Sequence, residues 1–228
     1  MSPSFPSKTD PVRIIGAGLA GCEAAWQIAK AGIPVELIDM KPGRMTPAHR
    51  SPLLGELVCS NSLKAMRLTS ASGLLKEEMR RFGSLVLEAA AASQVPAGGS
   101  LAVDRDLFSS YITGKLAAHP CIHIVERTVE EVPADGIRIV ATGPLTQGRL
   151  FQSIEETLGA QVLHFFDAAA PIVEADSIDR DRVFAQSRYG RGGDDYLNCP
   201  MDREQYERFW KALVEAEVAE VEAFDRKA

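Results

Sequence analysis

The sequence predicts an α/β fold built on a parallel sheet, and three observations carry that expectation. Residues 12–15, "VRII", are a β-branched run that passes directly into Gly16, Gly18 and Gly21 at GxGxxG spacing, and Cys22 to Ala31 follow with helix-forming composition and no proline. Gly32 then ends that helix, and "PVELID" reads as a second strand closed by Asp39. Much further along, "GIRIVATGP" is another apolar strand that runs into a glycine turn at Gly143.

Taken in order, residues 1–10 are expected to be a flexible N-terminus, residues 11–145 a Rossmann-like domain, and residues 146–228 the start of a second α/β domain. The first βαβ unit has the parts that hold a dinucleotide. Gly16 permits the tight turn out of the strand, Gly18 lets the backbone approach a pyrophosphate, and Gly21 lets the helix pack close to the sheet. The loop Gly16, Ala17, Gly18, Leu19, Ala20 and Gly21 is therefore the candidate phosphate site, at the positive end of a helix. Asp39, roughly twenty residues on, is placed to accept hydrogen bonds from ribose hydroxyls. An acid there disfavours a 2′-phosphate, so FAD or NAD fits better than NADP.

A second constellation separates those two. "SLAVDRDLFSSYITGKLAAHP" reads as a strand or turn ending at Asp104-Arg105, then an amphipathic helix with Leu107, Phe108, Tyr111, Ile112 and Leu116 on its apolar face. "CIHIVE" follows as a strand, then "TVEEV", then the strand into Gly143. By itself "IRIVATG" is a buried strand ending in a turn. In this order, it resembles the flavoprotein branch of the Rossmann fold, the glutathione-reductase and aromatic-hydroxylase type, where the late "ATG" meets the flavin nucleotide. Arg105 and Gly143 join the candidate cofactor-binding residues on that basis.

Composition excludes several classes. With 228 residues, 46% hydrophobic and 25% charged, the chain can bury a sizeable core. It holds no apolar run near the roughly 20 residues of a membrane span, and "MSPSFPSKTD" lacks the regions of a signal peptide, so a cytoplasmic protein is expected. The cysteines at 22, 59, 121 and 199 show no CxxC and no finger-like histidine spacing, so neither a metal site nor a disulfide framework is expected. Net charge is −6, yet Arg44 to Arg81 holds seven Lys or Arg against three Glu. Either a solvated helix face or a binding surface fits that stretch.

Several longer strings name a family. "GAGLAG", "PAHR", "ELVCSNSL", "GLLKEEMRR", "VPAGGSLAVDR", "ATGPLT", "FFDAAAPIVE", "SRYGRGG" and "YLNCPM" together resemble the folate- and FAD-dependent tRNA uracil-5 methyltransferases, from about residue 11 onward. The resemblance implies a flavoenzyme that methylates a uridine in the tRNA T-loop. Methylenetetrahydrofolate would give the carbon, and NADH or NADPH the electrons through FAD. It makes Gly16 to Gly21 the FAD phosphate site. It puts Asp39 where the family usually has a glutamate, a side chain one methylene longer. It makes Cys59 one of two catalytic cysteines, with a role near flavin and uracil in removing the carbon 5 proton rather than that of nucleophile. It also implies a C-terminal half, with a second cysteine in an "FEGC" segment, following Ala228.

Two other readings stay open: a generic FAD-dependent oxidoreductase acting on a small molecule, and a non-catalytic nucleotide-binding fragment. Cys22 and Cys121 read as packing residues, Cys199 as structural, and His49 as a group that orients substrate or lowers a thiol pKa. His119, His123 and His164 show no partner spacing. Residues 202–224 read as a capped amphipathic helix, with Asp202 as N-cap and Tyr206, Phe209, Trp210, Leu213, Val214 and Val221 as its buried stripe. The partners of that stripe are expected to be incomplete in this chain.

Overall fold

The computed structural model describes residues 10–46, 48–159, 173–187 and 193–217. His164, Val221, "FFDAAAPI", most of "SRYGRGG" and all but the last residue of the flexible start expected for residues 1–10 lie outside those ranges. The chain divides into two compact units, Met1–Val95 with Ser100–Ala168, and Pro96–Gly99 with Ala169–Ala228.

The first unit is built on a parallel four-stranded sheet. Its strands are β1 (Val12–Ile15), β2 (Val35–Asp39), β6 (Ile122–Glu126) and β7 (Arg138–Val140), in the order β6-β2-β1-β7. Ile14 pairs with Leu37 and Ile139, and Asp39 pairs with Glu126, so Asp39 stands at the C-terminal edge of the sheet. The edge where strands end and helices begin is where ligands bind in open α/β sheets.

Apolar residues of the central strands are buried on both faces of the sheet, while Arg13 and Glu36 pair with one another at 3.5 Å. Val12, Ile14, Val35 and Leu37 face one side and pack with helices α1 (Leu19–Lys30), α3 (Leu85–Ala92) and α4 (Arg105–Ala117). Ile15 and Ile38 face the other side and pack with Leu150 of α5 (Gly148–Leu158). Alternation with period two along each strand produces that division. Helix α1 sits close to the sheet through the small residues Gly21, Cys22, Ala25 and Ala29, all buried.

Between β2 and β6 the crossover carries a small antiparallel sheet, β3 (Ser62–Ala65), β5 (Ser100–Val103) and β4 (Gln94–Val95) in the order β3-β5-β4, together with α2 (Ala71–Arg81), α3 and α4. Helix α4 buries Phe108, Ser109, Ile112 and Leu116. Leu107, expected on that apolar face, is 60% exposed, because a stripe through 108, 112 and 116 leaves its neighbour about 100° round the helix.

In the second unit β8 (Phe184–Ala185) pairs with β9 (Leu197–Asn198), and Tyr196 Oη donates to the Ala97 carbonyl at 2.7 Å. Helix α6 (Arg203–Val214) has the expected capping box: Gln205 N donates to Asp202 Oδ1 at 2.8 Å, and Asp202 N donates to Gln205 Oε1 at 2.9 Å. Its expected buried stripe is not buried. Tyr206, Phe209, Trp210, Leu213 and Val214 are all more than half exposed, since nothing among the described residues packs over that face.

Phe108 is fully buried under the glycine-loop side of the sheet. Phe108→Ala should therefore cost about 3–5 kcal/mol of stability, read as a lower urea midpoint with an unchanged slope.

Candidate functional site

The glycine loop takes the geometry that its residue types demand. Gly16 has φ +98°, a conformation that side chains rarely adopt, and a Cβ there would meet the Ala141 carbonyl oxygen at 2.7 Å and Thr142 Cα at 2.8 Å. The "ATG" turn after β7 thus packs directly on the first glycine, and Gly143 follows with φ +77°. At Gly21 a Cβ would collide with the Gly16 carbonyl, so the helix can start this close to β1 only with glycine there.

Gly18 differs from both. It is the N-cap of α1, and a Cβ built on it meets nothing within 4 Å. Helices α2, α3, α4 and α6 are each closed by an oxygen of Ser70, Ser84, Asp104 or Asp202, whereas α1, like α5, has no side-chain cap and no acid in its first turn. The first N–H groups of α1 therefore lack intrahelical partners at the positive end of the helix dipole. An open approach over Gly18 and uncompensated donors behind it suit a pyrophosphate.

Asp39 serves the loop itself. Its Oδ2 accepts from Ala17 N at 2.6 Å and its Oδ1 accepts from Lys41 N at 2.9 Å. A carboxylate has about four acceptor positions, so a ribose hydroxyl can still be accommodated. Ala17 is also held from its other side: its carbonyl accepts from Gly55 N at 2.8 Å and from the Cys22 thiol at 3.1 Å. Burial pushes the Cys22 thiol up to about 12, with the nearby Asp39 charge acting in the same direction, and this thiol is a packing group as expected.

Cys59 lies on an exposed segment that is anchored before and after it. Upstream, Leu54 and Leu57 are buried in the core, and Leu54 N donates to Thr113 Oγ1 at 2.9 Å. Downstream, Asn61 exchanges bonds with Val103, its carbonyl accepting from Val103 N at 3.0 Å and its Nδ2 donating to Val103 O at 3.1 Å. Arg105 Nη2 donates to the Cys59 carbonyl at 3.3 Å, so Arg105 meets this segment, while Asp39 and the Ala141–Thr142 turn ahead of Gly143 meet the glycine loop. His49 turns its Nδ1 toward Thr46, which lies at 3.0 Å through Oγ1 and donates through N at 3.2 Å. That fixes a turn. Cys199 is exposed beside β9 in the second unit, and Cys121 immediately precedes β6, its carbonyl accepting from Val35 N at 2.8 Å.

Two residues of the site escaped the sequence reading. Lys41 is buried at 6% exposure, and its Nζ donates to Leu53 O at 2.6 Å, Glu56 Oε2 at 3.2 Å and Ser51 O at 3.4 Å. Glu56 Oε1 accepts from Arg50 N at 2.7 Å and Ser51 N at 3.0 Å. Burial alone would raise the Glu56 carboxyl, but those two N–H groups and the Lys41 ammonium outweigh it and hold it below its ordinary value. The one available signal was a lysine two residues after the strand-ending acid, followed by Pro42 and Gly43.

Among the described residues no group of three or more His, Cys, Asp or Glu is placed to hold a metal ion, and no helix is long and apolar enough to cross a membrane. The strand order, the two-sided sheet and the open glycine loop define a Rossmann-like dinucleotide-binding protein. The family model of Glucose inhibited division protein A matches residues 11–228, and the chain belongs to that family. It is 56% identical over 217 residues to the methylenetetrahydrofolate–tRNA-(uracil-5-)-methyltransferase TrmFO of Lactobacillus delbrueckii subsp. bulgaricus, covering 95% of this chain and 49% of that one. The TrmFO of Acetivibrio thermocellus is likewise 56% identical, over 218 residues, covering 96% and 50%. The solved structure of GidA from Aquifex aeolicus aligns over 55% of this chain and 20% of its own, at 17% identity and a TM-score of 0.44. The chain spans about half the length of the curated relatives it matches.

Glu56→Gln leaves a buried lysine without its counter-charge and should cost about 3 kcal/mol at neutral pH. Because the folded Glu56 value is depressed, its stabilisation is complete above the ordinary value of 4.5 and is lost as pH falls through the folded value. Urea midpoints of wild type and variant should therefore differ at pH 7 and converge as the pH drops below 4.5.

Proposed function

We propose that this chain is the FAD-binding N-terminal portion of an enzyme that methylates carbon 5 of a uridine in the tRNA T-loop, with methylenetetrahydrofolate and a reduced nicotinamide as co-substrates. The observation that carries the reading is 56% identity, over nearly the whole chain, to relatives named for that reaction. In balance, the folate methylene carbon and two electrons from NADH or NADPH make the new methyl group, uracil carbon 5 loses its proton, and tetrahydrofolate leaves. FAD in the glycine-loop site would pass those electrons to the one-carbon unit.

The residues present support FAD by their own chemistry. With Ala17 N already held by Asp39, the N–H groups at the start of α1, from Gly18 to Gly21, would meet the phosphates, and Asp39 offers its remaining acceptor capacity to a ribose. Gly143 leaves the turn after β7 open beside that loop. Arg105 brings a guanidinium with five donors to the Cys59 segment, where an anionic part of cofactor or substrate can meet it. Cys59 presents a thiol at the surface, and a thiolate there suits removal of the carbon 5 proton. Lys64, Arg67 and Arg81 lie in the same basic stretch and suit an RNA backbone. The protein acts in the cytoplasm, where its RNA substrate is.

The exposed stripe Tyr206, Phe209, Trp210 and Leu213 fits polypeptide of the kind that the twice-longer relatives carry outside the matched half. That second half would supply further cofactor contacts and the partner cysteine.

A protein extended through the second half found in the relatives should bind FAD and transfer label from methylenetetrahydrofolate to a T-loop uridine. Cys59→Ser in that protein should slow transfer at least about 100-fold with the flavin still bound. A full-length protein that binds FAD and never labels uridine would defeat the assignment.

A further inference from the structure

We propose that the buried ion pair of Lys41 and Glu56 is a positioning device for Cys59, clamping residues 51–57 onto the ribose end of the dinucleotide site. The significance of this inference rests on the reading of Cys59 as a reactive residue, but its test does not.

The bonds form a continuous path. Asp39, at the end of β2, binds the glycine loop through Ala17 N and the next segment through Lys41 N, at 2.6 and 2.9 Å. The Lys41 ammonium then reaches across the loop to Leu53 O, Ser51 O and Glu56, with side-chain exposures of 4% for Lys41 and 11% for Glu56. Glu56 gathers Arg50 N and Ser51 N on its other oxygen. Gly55 closes the circuit by donating to Ala17 O at 2.8 Å. Its φ of +65°, and the 2.8 Å at which a Cβ would meet Ile112 Cδ1, show how tightly the loop is drawn in. Cys59 is three residues beyond Glu56.

Stability alone does not explain the pair. A buried ion pair is often matched or bettered by apolar residues of similar volume, because desolvation offsets the Coulombic gain. An apolar pair cannot, however, hold two carbonyl and two N–H groups of a loop at once. Lys41 supplies up to three donors and Glu56 up to four acceptor positions, all directed at backbone or at each other. The arrangement specifies where the loop lies rather than how strongly the core holds together.

The test separates those roles. A nitroxide is attached to Cys59 in the full 228-residue chain carrying Cys121→Ser and Cys199→Ser, and mobility is read from the electron paramagnetic resonance line shape. The Lys41→Met, Glu56→Met double variant keeps side-chain volume and should retain the wild-type urea midpoint. In it, the rotational correlation time at Cys59 should shorten at least twofold. A nitroxide on Cys199, in the second unit with Cys59 and Cys121 replaced by Ser, should not change. An unchanged Cys59 line shape in the folded double variant overturns the proposal. Should the double variant unfold, Glu56→Gln is compared in its place, and an unchanged line shape there overturns the proposal equally. A full-length enzyme that fails to methylate uridine would defeat the proposed function and leave this result untouched.

Discussion

The peptide of Ala17 is the point on which the site depends. Its N–H donates to Asp39 at 2.6 Å, and its carbonyl accepts from Gly55 and Cys22. Three segments, the end of β2, the start of α1 and the loop after β2, therefore share one buried residue. Because Asp39 secures the loop from below, α1 can begin at Gly18 without a capping side chain. The helix leaves its first donors open where other helices of the chain close theirs. Unsatisfied donors at a helix start cost free energy unless something meets them. Their presence beside a steric opening is the physical argument for an anionic ligand at this place.

Once the loop is set, the remaining parts take their positions from it. The turn after β7 packs on Gly16, which puts the second glycine turn beside the first. The loop after β2 is drawn onto Ala17 by Gly55 and locked by Lys41 and Glu56, bringing the start of "ELVCSNSL" toward the C-terminal edge of the sheet. Arg105 and Asn61 hold the far side of that segment from α4 and β5. Cys59 is thus an exposed thiol on a well-tethered stretch. Exposed reactive groups on rigidly positioned loops are how folds of this class carry chemistry.

What the sequence revealed follows from how local each signal is. The βαβ unit was legible because strand, glycine spacing, helix and terminal acid all lie within one short window, each with a periodicity or a backbone requirement of its own. The capping box of α6 was legible for the same reason. The second task of Asp39 was not, since an acid at that position reads as a ribose ligand and its bonds to Ala17 and Lys41 exist only in three dimensions. The pairing of Lys41 with Glu56 gave no signal, because burial of a pair fifteen residues apart depends on a loop path that no periodicity encodes. Leu107 shows the converse error, and the α6 stripe, whose partners were expected to be incomplete, shows the same limit of the signal. Apolar spacing states which face wants burial, and it does not state whether a partner is there.

The central claim is that the open start of α1 is where a dinucleotide binds, and amide chemical shifts of the isotope-labelled chain during titration with FAD test it most directly. The largest shifts should fall on the N–H groups of Ala17 to Gly21 and of Thr142 and Gly143, with those of α6 unmoved. Shifts that spare the glycine loop, or that spread evenly over both units, would contradict it.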